Sequence, residues 1–169
     1  MMFHKPWVLG VLALAVLAVQ PARADMSEQD LDDVGRVEDY FNAIDTLSAQ
    51  FVQIAPGGEI AEGDFYLRRP GRLRFEYAPP VPILIVADGF RLIFYDSELG
   101  QVSAWPIQAT PLGPLVARTV ALIESGHAQM GSRDPGVLRV TLSDPDRPGD
   151  GSITLIFRDQ PLELRQWEV

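Results

Sequence analysis

The sequence predicts a mainly β, α+β fold, with one curved antiparallel sheet interrupted by two helical insertions. Three observations carry that expectation. Short strand-like runs follow one another through tight turns, which describes a meander rather than βαβ units. At the corner Arg68-Arg69-Pro70-Gly71 the chain turns and then alternates, with Leu73, Phe75 and Tyr77 on one face and Arg72, Arg74 and Glu76 on the other. The chain has 169 residues and no cysteine. A chain of this size buries roughly two-thirds of its unfolded surface, so a single domain is expected, held by its core rather than by disulfides.

The first stretch is expected to lie outside the fold. Lys5 precedes an unbroken apolar run from Trp7 to Val19, and Ala22-Arg23-Ala24 offers the small-x-small pattern of a signal-peptidase site. The run is shorter than the roughly 20 residues that span a bilayer, so residues 1–24 read as a signal peptide cleaved after Ala24, and the mature chain as exported. No cysteine follows the run, which argues against a lipid-anchored product. The formal charge is −9, and cleavage would remove Lys5 and Arg23 but no acidic residue. Such an acidic surface argues against nucleic acid and anionic membranes as partners.

The elements follow in order. Ser27-Glu28-Gln29-Asp30 has the composition of a helix N-terminus, with a hydroxyl cap and first-turn carboxylates. Leu31, Val34, Val37, Phe41, Ile44 and Leu47 recur at helical spacing, with Asp32, Asp33, Glu38 and Asp39 assigned to the opposite face. Strands are expected at 48–54, 60–68, 72–77, 83–86, 91–95 and 101–105, with Pro70-Gly71 and Asp88-Gly89 among the turns. Region 106–134 interrupts the meander, and its apolar run Leu115 to Ile123 predicts a short second helix stopped near Gly126. Strands resume at 137–142, 152–158 and 162–169. In the last, the alternation slips near Gln166, as at a bulge.

Catalytic and metal chemistry find little support. His127 is the one histidine after the leader, which leaves a serine triad a single candidate base, and Ser125-Gly126-His127 reads as a helix end followed by a surface loop. One histidine and no cysteine cannot assemble a His/Cys metal site. Asp144, Asp146 and Asp150 stand among prolines and glycines, where carboxylates act as turn formers. No catalytic residue, metal or cofactor is therefore expected. Two readings of the apolar sheet face stay open: an ordinary core packed against the helices, or the wall of a cavity for an apolar ligand.

The spaced runs Phe51-Val52-Gln53, Gly63-Asp64-Phe65-Tyr66-Leu67-Arg68-Arg69-Pro70-Gly71, Leu73 to Tyr77, Pro82-Ile83-Leu84-Ile85-Val86-Ala87-Asp88-Gly89 and Phe94-Tyr95-Asp96 resemble the LolA family of periplasmic lipoprotein carriers. The resemblance covers most of the chain after the leader. It implies an unclosed β-barrel with a helical lid, occupying residues 25–169 and truncated at its C-terminus, in a monomeric, non-enzymatic periplasmic protein. The implied partners are acylated lipoproteins, an inner-membrane lipoprotein-releasing ABC transporter and an outer-membrane lipoprotein receptor. It further implies that Arg69 latches the lid, and that Phe65, Leu67, Leu73, Phe75, Tyr77, Ile83, Ile85, Leu92 and Phe94 line an acyl-chain cavity. Leu31, Val34, Leu115, Val116 and Leu122 would belong to the lid helices. Leu73 matches a family position linked to acyl-chain handling and transporter contact, and Phe75 stands where the family usually carries tryptophan. The alternative is a lipoprotein-sensing domain of an envelope stress regulator with the same fold, which would carry a further domain.

Overall fold

The computed structural model describes residues 26–169; the expected leader and its cleavage after Ala24 lie outside the described residues. Helix α1 spans Glu28–Asn42, and ten strands follow: β1 Thr46–Ile54, β2 Ile60–Arg68, β3 Arg72–Tyr77, β4 Ile83–Asp88, β5 Arg91–Asp96, β6 Gln101–Pro106, β7 Ala128–Asp134, β8 Val137–Ser143, β9 Ser152–Arg158 and β10 Glu163–Glu168. Between β6 and β7 stand a 3-10 turn, Ile107–Ala109, and one helical turn, α2, Gly113–Val116. Among the described residues all pairings are antiparallel, and no sheet closes on itself. The strands hydrogen-bond as two sheets, β1 to β6 in sequence order and β10-β9-β8-β7, where one continuous sheet was expected.

Helix α1 begins where the capping residues place it. The Ser27 hydroxyl accepts from the Asp30 backbone N–H at 3.2 Å, while the Asp30 carboxylate accepts from the Ser27 N–H at 3.0 Å, a reciprocal box that satisfies two otherwise orphaned donors. Val34 and Val37 are fully buried and Phe41 nearly so, against Leu138, Val140, Leu142, Ile153, Leu155 and Phe157 of the four-stranded sheet. Tyr40 and Phe41 meet Phe157 edge-on at 5.4 and 6.2 Å. Each such aliphatic or aromatic side chain contributes about 1.5–3 kcal/mol by leaving water. The alternation of β8 and β9 is complete: every second residue is buried, from Leu138 to Leu142 and from Ile153 to Phe157.

Three expectations need correction here. Leu31, assigned to the apolar stripe, is 38% exposed. Asp33, assigned to the polar face, is buried, and its carboxylate accepts from Arg36 at 2.8 Å and Arg133 at 2.5 Å, so it ties α1 to β7. The helix expected over 115–123 is replaced by α2 and a run of turns, and Leu122, though fully buried, lies in a turn rather than a helix. The cause is long-range competition for the backbone. Asn42 takes both the N–H and the carbonyl of Val120 at 2.8 and 2.9 Å, and the Glu38 carboxylate accepts from the Ile123 N–H at 2.7 Å. Those groups are no longer free to build a helix ladder.

Strand β7 fell inside the region expected to interrupt the meander. Its sequence AQMGSRD lacks alternation, and it is a strand because it pairs with β8 across the Pro135-Gly136 turn. The slip expected near Gln166 is present as a register shift between Leu164 and Gln166.

Candidate functional site

The register of the six-stranded sheet arranges its inner face in rows that cross the strands. One row runs Leu47, Leu67, Leu73, Ala87, Leu92, Trp105. The next runs Ala49, Phe65, Phe75, Ile85, Phe94, Ser103. A third holds Phe51, Gly63 and Tyr77, with Ile83, Asp96 and Gln101 on the far strands. Beyond it, Gln53 faces Ala61. Every residue that the sequence assigned to the cavity wall lies on this one face.

Burial is deepest on the middle strands of the first row, whose ends, Leu47 and Trp105, are 36% and 49% exposed. In the first row Leu67, Leu73 and Ala87 are 8%, 5% and 3% exposed, under Ile107 and Val116 of the β6–β7 connection. These positions are packed core. Phe65, Phe75, Tyr77, Ile83, Ile85, Leu92 and Phe94 are only half-buried, so the middle of the face is an apolar strip, the trough, that is incompletely covered. Of the residues assigned to the lid, Val34, Leu115 and Leu122 pack on the four-stranded sheet's core, whereas Val116 packs on the first row.

Aromatic rings line that trough. Phe65 lies 4.6 Å from Phe75, and Phe51 meets Phe75 and Tyr77 edge-on at 5.5 and 5.1 Å. Gly63 makes this possible. It sits between β1 and β3 directly beneath the Phe51 ring, and a Cβ there would fall 2.7 Å from that ring and 2.3 Å from the Glu76 carbonyl oxygen. Trp167 of β10 closes over the rings, 6.0 Å from Phe65 and 5.9 Å from Phe75, and so joins the second sheet to the site. The sequence reading did not assign Phe51 or Trp167 to the face. Phe51 opens the run Phe51-Val52-Gln53, part of the family resemblance, and the bulge before Gln166 is the signal that re-aims Trp167.

Arg69 stands at the packed end. Its backbone N–H donates to Asp45 at 2.8 Å, fixing the corner, and the Gly71 N–H donates to the Val116 carbonyl at 2.7 Å. Gly71 holds φ at +72°, with its would-be Cβ 2.8 Å from Gly89 Cα, so the two turns touch there and a side chain would part them. The guanidinium then forks. Nε and one terminal nitrogen donate to the Ala117 carbonyl at 2.9 and 2.7 Å, and the latter nitrogen also reaches Arg118 O at 3.1 Å. The other nitrogen donates to Phe41 O, at the end of α1, and to Ile44 O at 3.4 Å. Burial disfavours the charge on Arg69 and lowers its pKa, with Asp45 opposing in part. The charge also sits at the negative end of the α1 dipole, where a cation is stabilised.

Arg74 pairs with Glu76 at 2.9 Å on the outer face, which depresses the Glu76 carboxylate below its ordinary range. His127, read as a surface residue, is half-buried, and its Nδ1 is buried without a hydrogen-bond partner among the described residues. It lines a small pocket with Ser143, Asp144 and Asp150. Asp144 does not orient the ring: its carboxylate accepts from the Asp146 and Arg147 N–H groups and from the Arg147 side chain. The relay of a serine hydrolase is not assembled there.

Residues 42–169 match the family model described as outer membrane lipoprotein carrier protein LolA. Relatives named outer-membrane lipoprotein carrier protein include one from Chromohalobacter salexigens, 32% identical over 148 residues, which covers 79% of this chain and 68% of the relative. One from Methylococcus capsulatus is 35% identical over 107 residues, 60% of this chain and 49% of the relative. One from Legionella pneumophila strain Corby is 37% identical over 102 residues, 58% and 48%. The chain spans about half the length of the latter two.

Proposed function

This chain belongs to the LolA family, and on that premise we propose that it carries the acyl chains of outer-membrane lipoproteins across the periplasm. The observation that carries the reading is the graded inner face. A core would bury Phe65, Phe75, Ile85 and Phe94 as completely as Val140 and Phe157 are buried in the other sheet, yet they are left half-open. The names borne by the family and its relatives favour a carrier over a sensor domain.

In this reading residues 1–24 are a cleaved leader and 25–169 the carrier domain. The wall is the trough, from Phe65 and Leu67 through Leu73, Phe75 and Tyr77 to Ile83, Ile85, Leu92 and Phe94. The β6–β7 connection forms the lid, and Arg69 is the latch that ties it to the end of α1. The donor is an inner-membrane ABC transporter and the acceptor an outer-membrane receptor. No chemical step is required, and the His127 pocket serves packing.

The energetics favour a covered trough over an open one. Each CH₂ buried contributes about 0.8 kcal/mol, so several whole chains would approach the ceiling of roughly 20 kcal/mol for non-covalent affinity and could not be released. A lid that must open subtracts its closing energy from that affinity. The latch bonds are of the right size, since a hydrogen bond from a charged donor contributes about 1.5–3 kcal/mol. Co-expression with an acylated client tests the reading. The client is expected to co-purify with the carrier and to be lost when its acylated cysteine is replaced; equal recovery of both forms would refute it.

A further inference from the structure

We propose that Tyr77 and Gln53 form a polar station that receives the carbonyl-bearing head of the acylated cysteine, so that the acyl chains run inward with the head at the open end of the trough. The inference rests on the carrier reading. It starts from the order of the rows: packed aliphatics beneath Val116, then the aromatic row, then Tyr77, then Gln53. A ligand with a hydrocarbon end and a polar end has one favourable orientation on such a gradient.

The pair has defined geometry. The Tyr77 ring is half-buried and held edge-on by Phe51, while its hydroxyl donates to the Gln53 side-chain oxygen. Burial pushes the phenol above its ordinary pKa, which keeps it a donor. With the Gln53 oxygen engaged, its NH₂ group points away from the phenol, and it has no hydrogen-bond partner among the described residues. Gln53 is exposed, so these N–H donors are free to meet a ligand; a hydrocarbon wall needs no such donors, and covering them with acyl chains alone would strand them at a cost of about 1–3 kcal/mol. Ester and amide carbonyls supply acceptors and demand no donor in return. A free carboxylate is the poorer match, because Asp96 shares the third row and the chain carries a formal charge of −9.

Binding of three probes to the purified protein, each by competition against one fluorescent lipid, tests this. The probes are a triacylated cysteinyl dipeptide, its ether-linked counterpart of equal chain length with the ester carbonyls replaced by CH₂, and palmitate. The readout is the ratio of affinities, which cancels effects on the trough itself. The parent is expected to favour the ester over the ether roughly fivefold, the scale of one or two neutral hydrogen bonds. In Tyr77→Phe, which keeps the ring against Phe51, and separately in Gln53→Leu, the ratio should fall towards one. A parent ratio of one, a parent-like ratio in both variants, or palmitate bound as tightly as the lipopeptide overturns the station while leaving the carrier reading intact. Binding of none of the probes overturns both.

Discussion

Arg69 shows how much one side chain can decide. A turn arginine next to a proline is ordinarily solvated, but this one spends its fork on carbonyls at the end of α1 and in the β6–β7 connection, two segments that share no ladder with each other. Leucine would keep the stem and remove every one of those bonds. Water can reach part of the vacated site, so Arg69→Leu is expected to cost about 1–3 kcal/mol of closure rather than global stability. Amide exchange at residues 117–123 should quicken about 10- to 100-fold, while the amides of β8 and β9 stay protected. Arg69→Lys, which retains the charge but not the planar fork, should fall between. Unchanged exchange in the leucine variant would remove the latch role.

At the scale of elements, α1 depends on its first turn as well as on packing. The Asp30 carboxylate is held below the usual range, first by the Ser27 hydroxyl, then by the Ser27 backbone N–H, then by Arg133. A carboxyl group depressed in the folded state adds stability above its unfolded value of about 3.9, and that stability is lost as pH falls through the lower folded value. The helix is therefore expected to fray from its N-terminus only below about pH 4, seen as loss of protection in residues 28–33. Asp30→Asn should remove that acid step; a step of undiminished size would show that another carboxylate carries it.

The same helix marks what was legible. Ser27 and Asp30 identify its start because capping is local, and the strands 60–68, 72–77 and 152–158 have their observed bounds because alternation is local too. Residues 115–123 misled because composition promises a helix there, while the groups that prevent it, Glu38, Asn42 and Arg69, come from elsewhere in the chain. Asp33 misled similarly, since its place inside depends on Arg133, 100 residues away. For the site, alternation put Leu73, Phe75 and Tyr77 on one face. It could not say that full burial stops after the first row, nor that Trp167 would reach across from the other sheet.

The whole molecule has a firm half and an open half. Helix α1 and the four-stranded sheet enclose residues such as Val140, Leu142 and Phe157 without exposure, while the six-stranded sheet keeps its aromatic row half-covered. If the β6–β7 connection is a lid, it must separate from α1 for cargo to enter, and a carrier locked shut should not load. The contact between Asn42 and the Val120 backbone is the place to lock it. Since the chain has no cysteine, Asn42→Cys with Val120→Cys introduces one defined pair. Once mass analysis shows the bridge formed, the oxidised protein is expected to bind a triacylated peptide at least tenfold more weakly than the reduced form, and dithiothreitol should restore binding. The two-state argument sets that sign, because a bridge that holds the closed form lowers the loading-competent fraction and raises the apparent Kd in proportion. Equal affinity in both redox states would mean that cargo enters from the open side of the trough past Tyr77, with residues 107–126 acting as fixed wall and Arg69 as a structural tie.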